Sequence, residues 1–472
     1  MIRGRRHVYG IPVSSPPVLA PTTMQSSVSQ YGITWTFDQE YPVGQFVNGD
    51  YFVVGPVDVI DIDPLPEVVG GWYRNGCMNV FNATDTQGLD SQPGHGVYNH
   101  ALNRGFPNGN PISSVNPLRV AENDVLISGA SKGTTGNRPQ LLNIAILTVV
   151  ENVPIAGSFR PSYLIGQPRV SQWTQSDIDW NWLESVQLSR TPVQGLLSDP
   201  IDLLSVVGPL WWGLHSSGWQ RQGWGRRPLD SEMYGRELVS AYNDRVLHTL
   251  LDFPREDIEE LVVSLVQIGL DTFAAAEQGV RWGPDGGHFQ GHLLPIVFAG
   301  KMLGDADVYK YVNMETYATL GHENNQHFYV TQTDVDITQS GLISDGGTWD
   351  PDSRNIPGSI LAYDESMIGL PEWGIRNSST KTRNNAHWAA YYRLINTPLT
   401  STALAFHIIG AAPDVVRGAF LDYCDRFMRM AYDPTYTDPA GSASHGGTNW
   451  PSGLTVAMWE EFRDNYGPIW AP

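Results

Sequence analysis

The chain has few charges and fewer cations. Only 17% of its 472 residues are Asp, Glu, Lys or Arg, and 29 Lys and Arg stand against 49 Asp and Glu, for a formal net charge of -20. A phosphate-binding face needs a basic surface, so nucleic acid is not an expected partner. Cysteine is nearly absent: Cys77 and Cys424 lie far apart, and no CxxC pair exists. That excludes a cysteine-based zinc or redox motif and leaves the redox compartment open. No run of 18 apolar residues occurs, so no membrane span is expected. The basic start, Met-Ile-Arg-Gly-Arg-Arg, is followed by Gly, Pro and Ser rather than an apolar run, and does not read as a secretion signal. There is no GxSxG, no glycine-rich phosphate loop followed by Lys, and no Rossmann fingerprint in its strand–helix setting. No cofactor and no metal are expected.

What the chain does have is Gly, Pro and aromatics: 48 Gly, 33 Pro, 16 Trp and 20 Tyr. Disordered chains show the opposite bias. So many aromatics in an acidic chain serve either as core or as flat platforms for sugar rings. The length suits more than one domain. Residues 1–30 are rich in Ser, Pro, Thr and Val and read as an extended arm. Residues 31–170 read as β. Alternation marks strands at Ile33–Phe37, Tyr51–Val54 and Val57–Ile62, and Val125–Ser128 and Leu142–Val150 are strand-like as well. Short strands between Gly and Pro breaks predict an antiparallel β-sandwich-like domain. Asp58, Asp61 and Asp63 fall on its solvated face.

Helical spacing takes over in residues 171–472. The 230–251 segment has an acidic, capped start, and 254–270 has Pro in its first turn with carboxylates behind it. Further helices are predicted at Leu293–Leu303, 400–411 and 413–431. Successive helices with short, aromatic-rich connections suit an (α/α) toroid or incomplete barrel, with its loops gathered at one end. A helical repeat array is the alternative, but no fixed sequence period supports it. The whole chain is thus expected to be α+β and multidomain.

Four stretches could carry chemistry. In Gly286-Gly-His-Phe-Gln-Gly-His292 the glycines oppose a helix interior, so His288 reads as a cleft histidine rather than a metal ligand. In Gly321-His-Glu-Asn-Asn-Gln-His-Phe-Tyr-Val330 the two histidines are five apart, which is not the zinc-binding HExxH spacing. That run still offers Glu323, Gln326 and Tyr329. The Trp211–Arg227 stretch sets Trp219 and Trp224 beside arginines, a set that stacks on sugars and binds carboxylates. The densest stretch is 372–393, with Arg376, Asn385, His387, Tyr392 and Arg393. β-Elimination from a uronic acid needs just these types. An amide or guanidinium neutralises the substrate carboxylate, a His or Tyr takes the C5 proton, and a Tyr protonates the departing O4.

Several of these residues resemble an α/α-toroid polysaccharide lyase family acting on alginate or glucuronan. The resemblance runs through Tyr234-Gly-Arg-Glu237, Gly286-Gly-His288 leading into Leu294–Asp305, Glu323 with Gln326-His-Phe-Tyr329, and Glu372-Trp-Gly374. Ile33–Pro56 and Gln87-Gly-Leu-Asp-Ser91 resemble the β portion of such proteins. Asn384-Asn-Ala-His-Trp388 resembles the Asn-Asn-His-x-x-Trp helix of other toroid alginate lyases, although here an Ala separates Asn385 from His387. Taken with the residue types above, the resemblance points to His288 or His387 as base, with Tyr329 or, from the residue types, Tyr392 as acid. It implies an anionic polysaccharide substrate and an extracellular or periplasmic setting. Asn385, Gln326, Glu323, Tyr234 and Arg236 fall in the resembling stretches, and the residue types add Arg393, Arg376, Trp219 and Trp224 as substrate-binding candidates. Two other readings compete. One is a glycoside hydrolase using a carboxylate pair such as Glu323 and Glu372. The other is a non-catalytic glycan-binding or surface-assembly protein.

Overall fold

The computed structural model describes residues 17–79, 87–91, 98–131, 141–164, 169–209, 235–282, 290–321, 327–339, 363–373, 397–439 and 451–470. It is a mixed α/β chain, with a curled N-terminal sheet and helices after it.

The strands are β1 (Thr23–Gln30), β2 (Ile33–Gln45), β3 (Tyr51–Val54), β4 (Val57–Asp63), β5 (Glu67–Val69), β6 (Trp72–Arg74), β7 (Cys77–Met78), β8 (Leu118–Val120), β9 (Val125–Ser131) and β10 (Leu141–Val150). Among the described residues eight of them form one sheet in the order β7-β9-β10-β3-β2-β4-β8, with β1 added to β2. β5 and β6 pair separately. The expected two-sheet sandwich is therefore replaced by one half-barrel sheet. It is not purely antiparallel either, because β10 runs parallel to β3. Residues 23–30, expected in the arm, are a strand. Tyr31 and Gly32 both take positive φ (50° and 75°), the two-residue hairpin turn that matches strand twist, and this folds β1 onto β2.

Strand alternation explains the two cores. On β9 and β10, Val125, Ile127, Ile144 and Ile146 point towards the helices. Leu126, Ala145, Leu147 and Val149 point into the curl, where they meet Trp35, Phe37 and Val59. Both faces of the central strands are covered, which is why they read as continuous apolar runs.

The helices are α1 (Trp180–Val186), α2 (Pro200–Val207), α3 (Gly235–Thr249), α4 (Arg255–Glu277), α5 (Leu293–Leu303), α6 (Ala306–Tyr309), α7 (Gln332–Gln339), α8 (Leu399–Ile408), α9 (Gly418–Tyr432) and α10 (Gly453–Phe462). A small antiparallel sheet of β11 (His327–Tyr329) and β12 (Pro371–Trp373) lies against α9. The predicted 254–270 helix exists but runs on to Glu277, its last turn made of the good helix formers Ala274-Ala-Ala-Glu277. The 413–431 segment splits: residues 412–415 form a 3₁₀ turn, and Val416 at φ 64° breaks the chain before α9. Cys77 and Cys424 are buried free thiols, one in the sheet and one in α9.

Candidate functional site

Of the sequence-predicted site residues, Tyr329 is described in full. Arg236 lies in the first turn of α3, described as backbone. His288, Asn385, His387, Tyr392, Gln326, Glu323, Arg393, Arg376, Trp219, Trp224 and Tyr234 lie outside the described residues.

The residues flanking several of these stretches are described, and a series of contacts runs from one to the next. The Trp282 N–H donates to Leu320 O at 2.8 Å, and the Trp282 indole stacks on His292 with centroids 4.3 Å apart. The chain either side of 283–289 is thus tied to the chain just before 322–326. Gly291, at φ 93°, presses on α3; a Cβ there would come 2.6 Å from Val239 Cγ2. On α3, Asn243 Nδ2 donates to Ser401 Oγ and Thr402 Oγ1 in the first turn of α8, each at 2.8 Å. Leu399 O, at the start of α8, accepts from Cys424 Sγ of α9 at 3.7 Å. The α9 side chains Phe420 and Tyr423 pack on His327 of β11, at 4.9 and 5.3 Å between ring centroids. Finally, His327 stands opposite Trp373 in the β11–β12 register. The end of the small sheet where 322–326 enters is therefore the end where 374–396 leaves.

Tyr329 is 39% exposed, and its O–H donates to Asp422 Oδ2 of α9 at 2.5 Å. Burial, and then the Asp422 carboxylate, push the phenol well above its ordinary pKa. Burial also raises Asp422, opposed by the Tyr329 hydrogen bond and by Arg463. The phenol is protonated through the neutral range, as an ordinary tyrosine is, and the carboxylate beside it makes it a weaker acid. Glu372 is different. It is fully buried, with Oε2 3.3 Å from Arg426 Nη1, and Arg426 also forks onto Asp438 with two bonds of 2.7 Å. This carboxylate holds β12 to α9 and does not reach solvent. His327 is likewise a core histidine.

Sequence reading missed a second polar centre, at the seam between sheet and helices. Arg160 donates from Nε to Asp50 Oδ2 at 2.6 Å and from Nη2 to Asp271 Oδ2. Gln267 brackets the Arg160 backbone, accepting from its N at 2.9 Å and donating to its O at 3.1 Å. Gln30 and Asn48 donate to Asp50 at 3.0 and 2.7 Å. Burial pushes the Asp271 carboxyl up to about 6, with Arg160 opposing. Cavities of ≈ 320 Å³ and ≈ 390 Å³ flank this cluster. More than 100 residues separate Arg160 from each carboxylate, so no local motif could announce it. No protein-family model, curated protein or solved structure matches the chain.

Proposed function

We propose that the chain is a polysaccharide lyase that cleaves a uronate-containing polymer, of the alginate or glucuronan type, by β-elimination. On this reading its helices belong to an (α/α) toroid or incomplete barrel, and it works in the extracellular or periplasmic space. The observation that carries the proposal is the contact network among Trp282, His292, Val239, Asn243, α8, α9 and the β11–β12 pair. Through it, the residues that flank the stretches holding His288, Gln326, Asn385, His387, Tyr392 and Arg393 are linked by successive contacts across the helical layer. Tyr329 stands at the same small sheet.

In this mechanism Asn385, Gln326 and Arg393 neutralise the substrate carboxylate, which makes the C5 proton acidic. His288 or His387 removes that proton, and Tyr329 or Tyr392 protonates the departing O4. Tyr329 would have to turn its O–H from Asp422 to the substrate. The burial of Glu372 against Arg426 counts against a hydrolase built on Glu323 and Glu372.

Incubating the protein with a panel of uronate polymers should raise the ultraviolet absorbance of the unsaturated uronate product. Tyr329→Phe should slow this by about 10²-fold or more if Tyr329 is the acid. Silence across the whole panel would sink the proposal, and chain shortening without a double bond would replace it with hydrolysis.

A further inference from the structure

We propose that the ≈ 320 Å³ cavity beside Trp173 is a second carbohydrate site, one that takes a neutral pyranose. It lies between α4 and the segment that leads from Arg160 to Trp173, apart from Tyr329 and its small sheet. Its volume falls within the ordinary range of small-molecule sites, roughly 300–1,000 Å³.

Aromatic rings form one wall. Trp173 and Phe273 both line the cavity and both remain half-buried. They meet edge to face, with centroids 6.2 Å apart and planes at 79°. The indole is fixed by Nε1–H donating to Asp305 Oδ2 at 3.0 Å, and Phe273 is backed edge-on by Tyr311. Such a wall accepts the C–H face of a sugar ring, and because it is already held, ligand binding orders little.

The polar lining suits hydroxyl groups. Glu277 Oε1 accepts from Tyr311 O–H at 2.6 Å and from Lys310 Nζ at 2.9 Å. Burial opposes its ionisation, but these two bonds hold the carboxyl below its ordinary pKa. Its Oε2 accepts no hydrogen bond among the described residues, and a carboxylate oxygen can receive a sugar hydroxyl. The amide of Gln172, exposed on the same cavity, can donate and accept.

Charge decides against an anionic ligand. Arg160 is the cation in the lining, and Asp50, Asp271 and Pro161 O take its three nitrogens. Lys310 is held by Glu277. A uronate carboxylate would face Asp271 and Glu277, while the cations near them among the described residues, Arg160 and Lys310, are already paired with carboxylates. A neutral ring with several hydroxyls fits what is left, so this site differs in ligand charge from the one proposed for cleavage and does not depend on it.

The test is a titration of the full chain with neutral hexoses and pentoses and their short β-linked oligomers. Tryptophan fluorescence and ligand-observed NMR would follow binding, with glucuronate, galacturonate and choline as comparison ligands. Saturable binding of a neutral sugar is expected. It should weaken about tenfold in Trp173→Ala and in Glu277→Ala, and persist in Trp173→Tyr, which keeps a ring. Circular dichroism of each variant separates lost binding from lost fold. If Trp173→Ala fails to fold, Gln172→Ala should show the weakening. The proposal is overturned if no neutral sugar saturates at tens of millimolar, if binding is indifferent to these substitutions, or if a uronate or choline binds better.

Discussion

His407 shows how one residue can set acid sensitivity. It lies near the end of α8, partly buried, with Nε2 buried and without a hydrogen-bond partner among the described residues. Burial, and then the nearby Arg463, lower its pKa from 6.5 to about 4. The unfolded chain therefore binds more protons than the folded one between those values, and stability falls as pH drops through that window. The ring's share is on the order of 2 kcal/mol after allowance for its partial exposure. Asp271, raised in the folded state, works in the opposite direction over an overlapping range, so wild type alone cannot isolate the histidine. Urea midpoints at pH 7 and pH 4.5 should show His407→Phe losing less stability on acidification than wild type. Equal losses would remove His407 as the cause. None of this was legible in the sequence, where His407 is one histidine in an apolar run.

At the scale of elements, α4 packs against α2, α3 and α5. Pro254, the acidic first turn and the apolar spacing announced it correctly. They could not announce how close α5 would come. A Cβ on Gly269 would lie 2.3 Å from Pro295 O and 2.5 Å from Ala299 Cβ. Gly269 is therefore a contact point between two helices. Gly269→Ala should improve helix propensity by about 1 kcal/mol yet destabilise overall, because α5 must move to admit the methyl group. A net loss of about 1–3 kcal/mol in chemical denaturation is expected, and a net gain would show that the interface yields. The strands divide similarly. Strand-like residue runs located β3 and most of β10, whereas β1 was missed because a Ser- and Thr-rich strand resembles a linker until a partner pairs with it.

At the scale of the molecule, the sheet and the helices share one core. Met78, Ile127 and Ile144 from the strands pack in the same cluster as Leu265, Phe298 and Phe406 from the helices. Arg160 then ties the β2–β3 turn to α4 through Asp50 and Asp271. Near residue 170, where composition placed a boundary, strands give way to helices, and residues from both sides of it meet in that hydrophobic cluster. Arg160→Ala leaves two buried carboxylates unpaired and should cost about 3–5 kcal/mol. Arg160→Lys should recover little, because an ammonium cannot reproduce the guanidinium fork. Far-ultraviolet circular dichroism and tryptophan fluorescence should report one coincident transition in wild type. Two separated transitions would mean that the layers fold independently.

The sequence alone determined what depends on neighbours along the chain. Periodicity placed most strands and helices, and the residue types needed for carboxylate and proton chemistry could be picked out. The tertiary structure decided what depends on distant partners. It joined strands into one half-barrel instead of two sheets, buried Glu372 against Arg426, and linked the residues flanking separate polar stretches through successive contacts. It also built the Arg160 cluster and the cavity beside it from residues more than 100 positions apart. Local patterns carry propensity and face. Burial and ion pairing arise only when the chain closes on itself, so a carboxylate's role cannot be read before its partner is known.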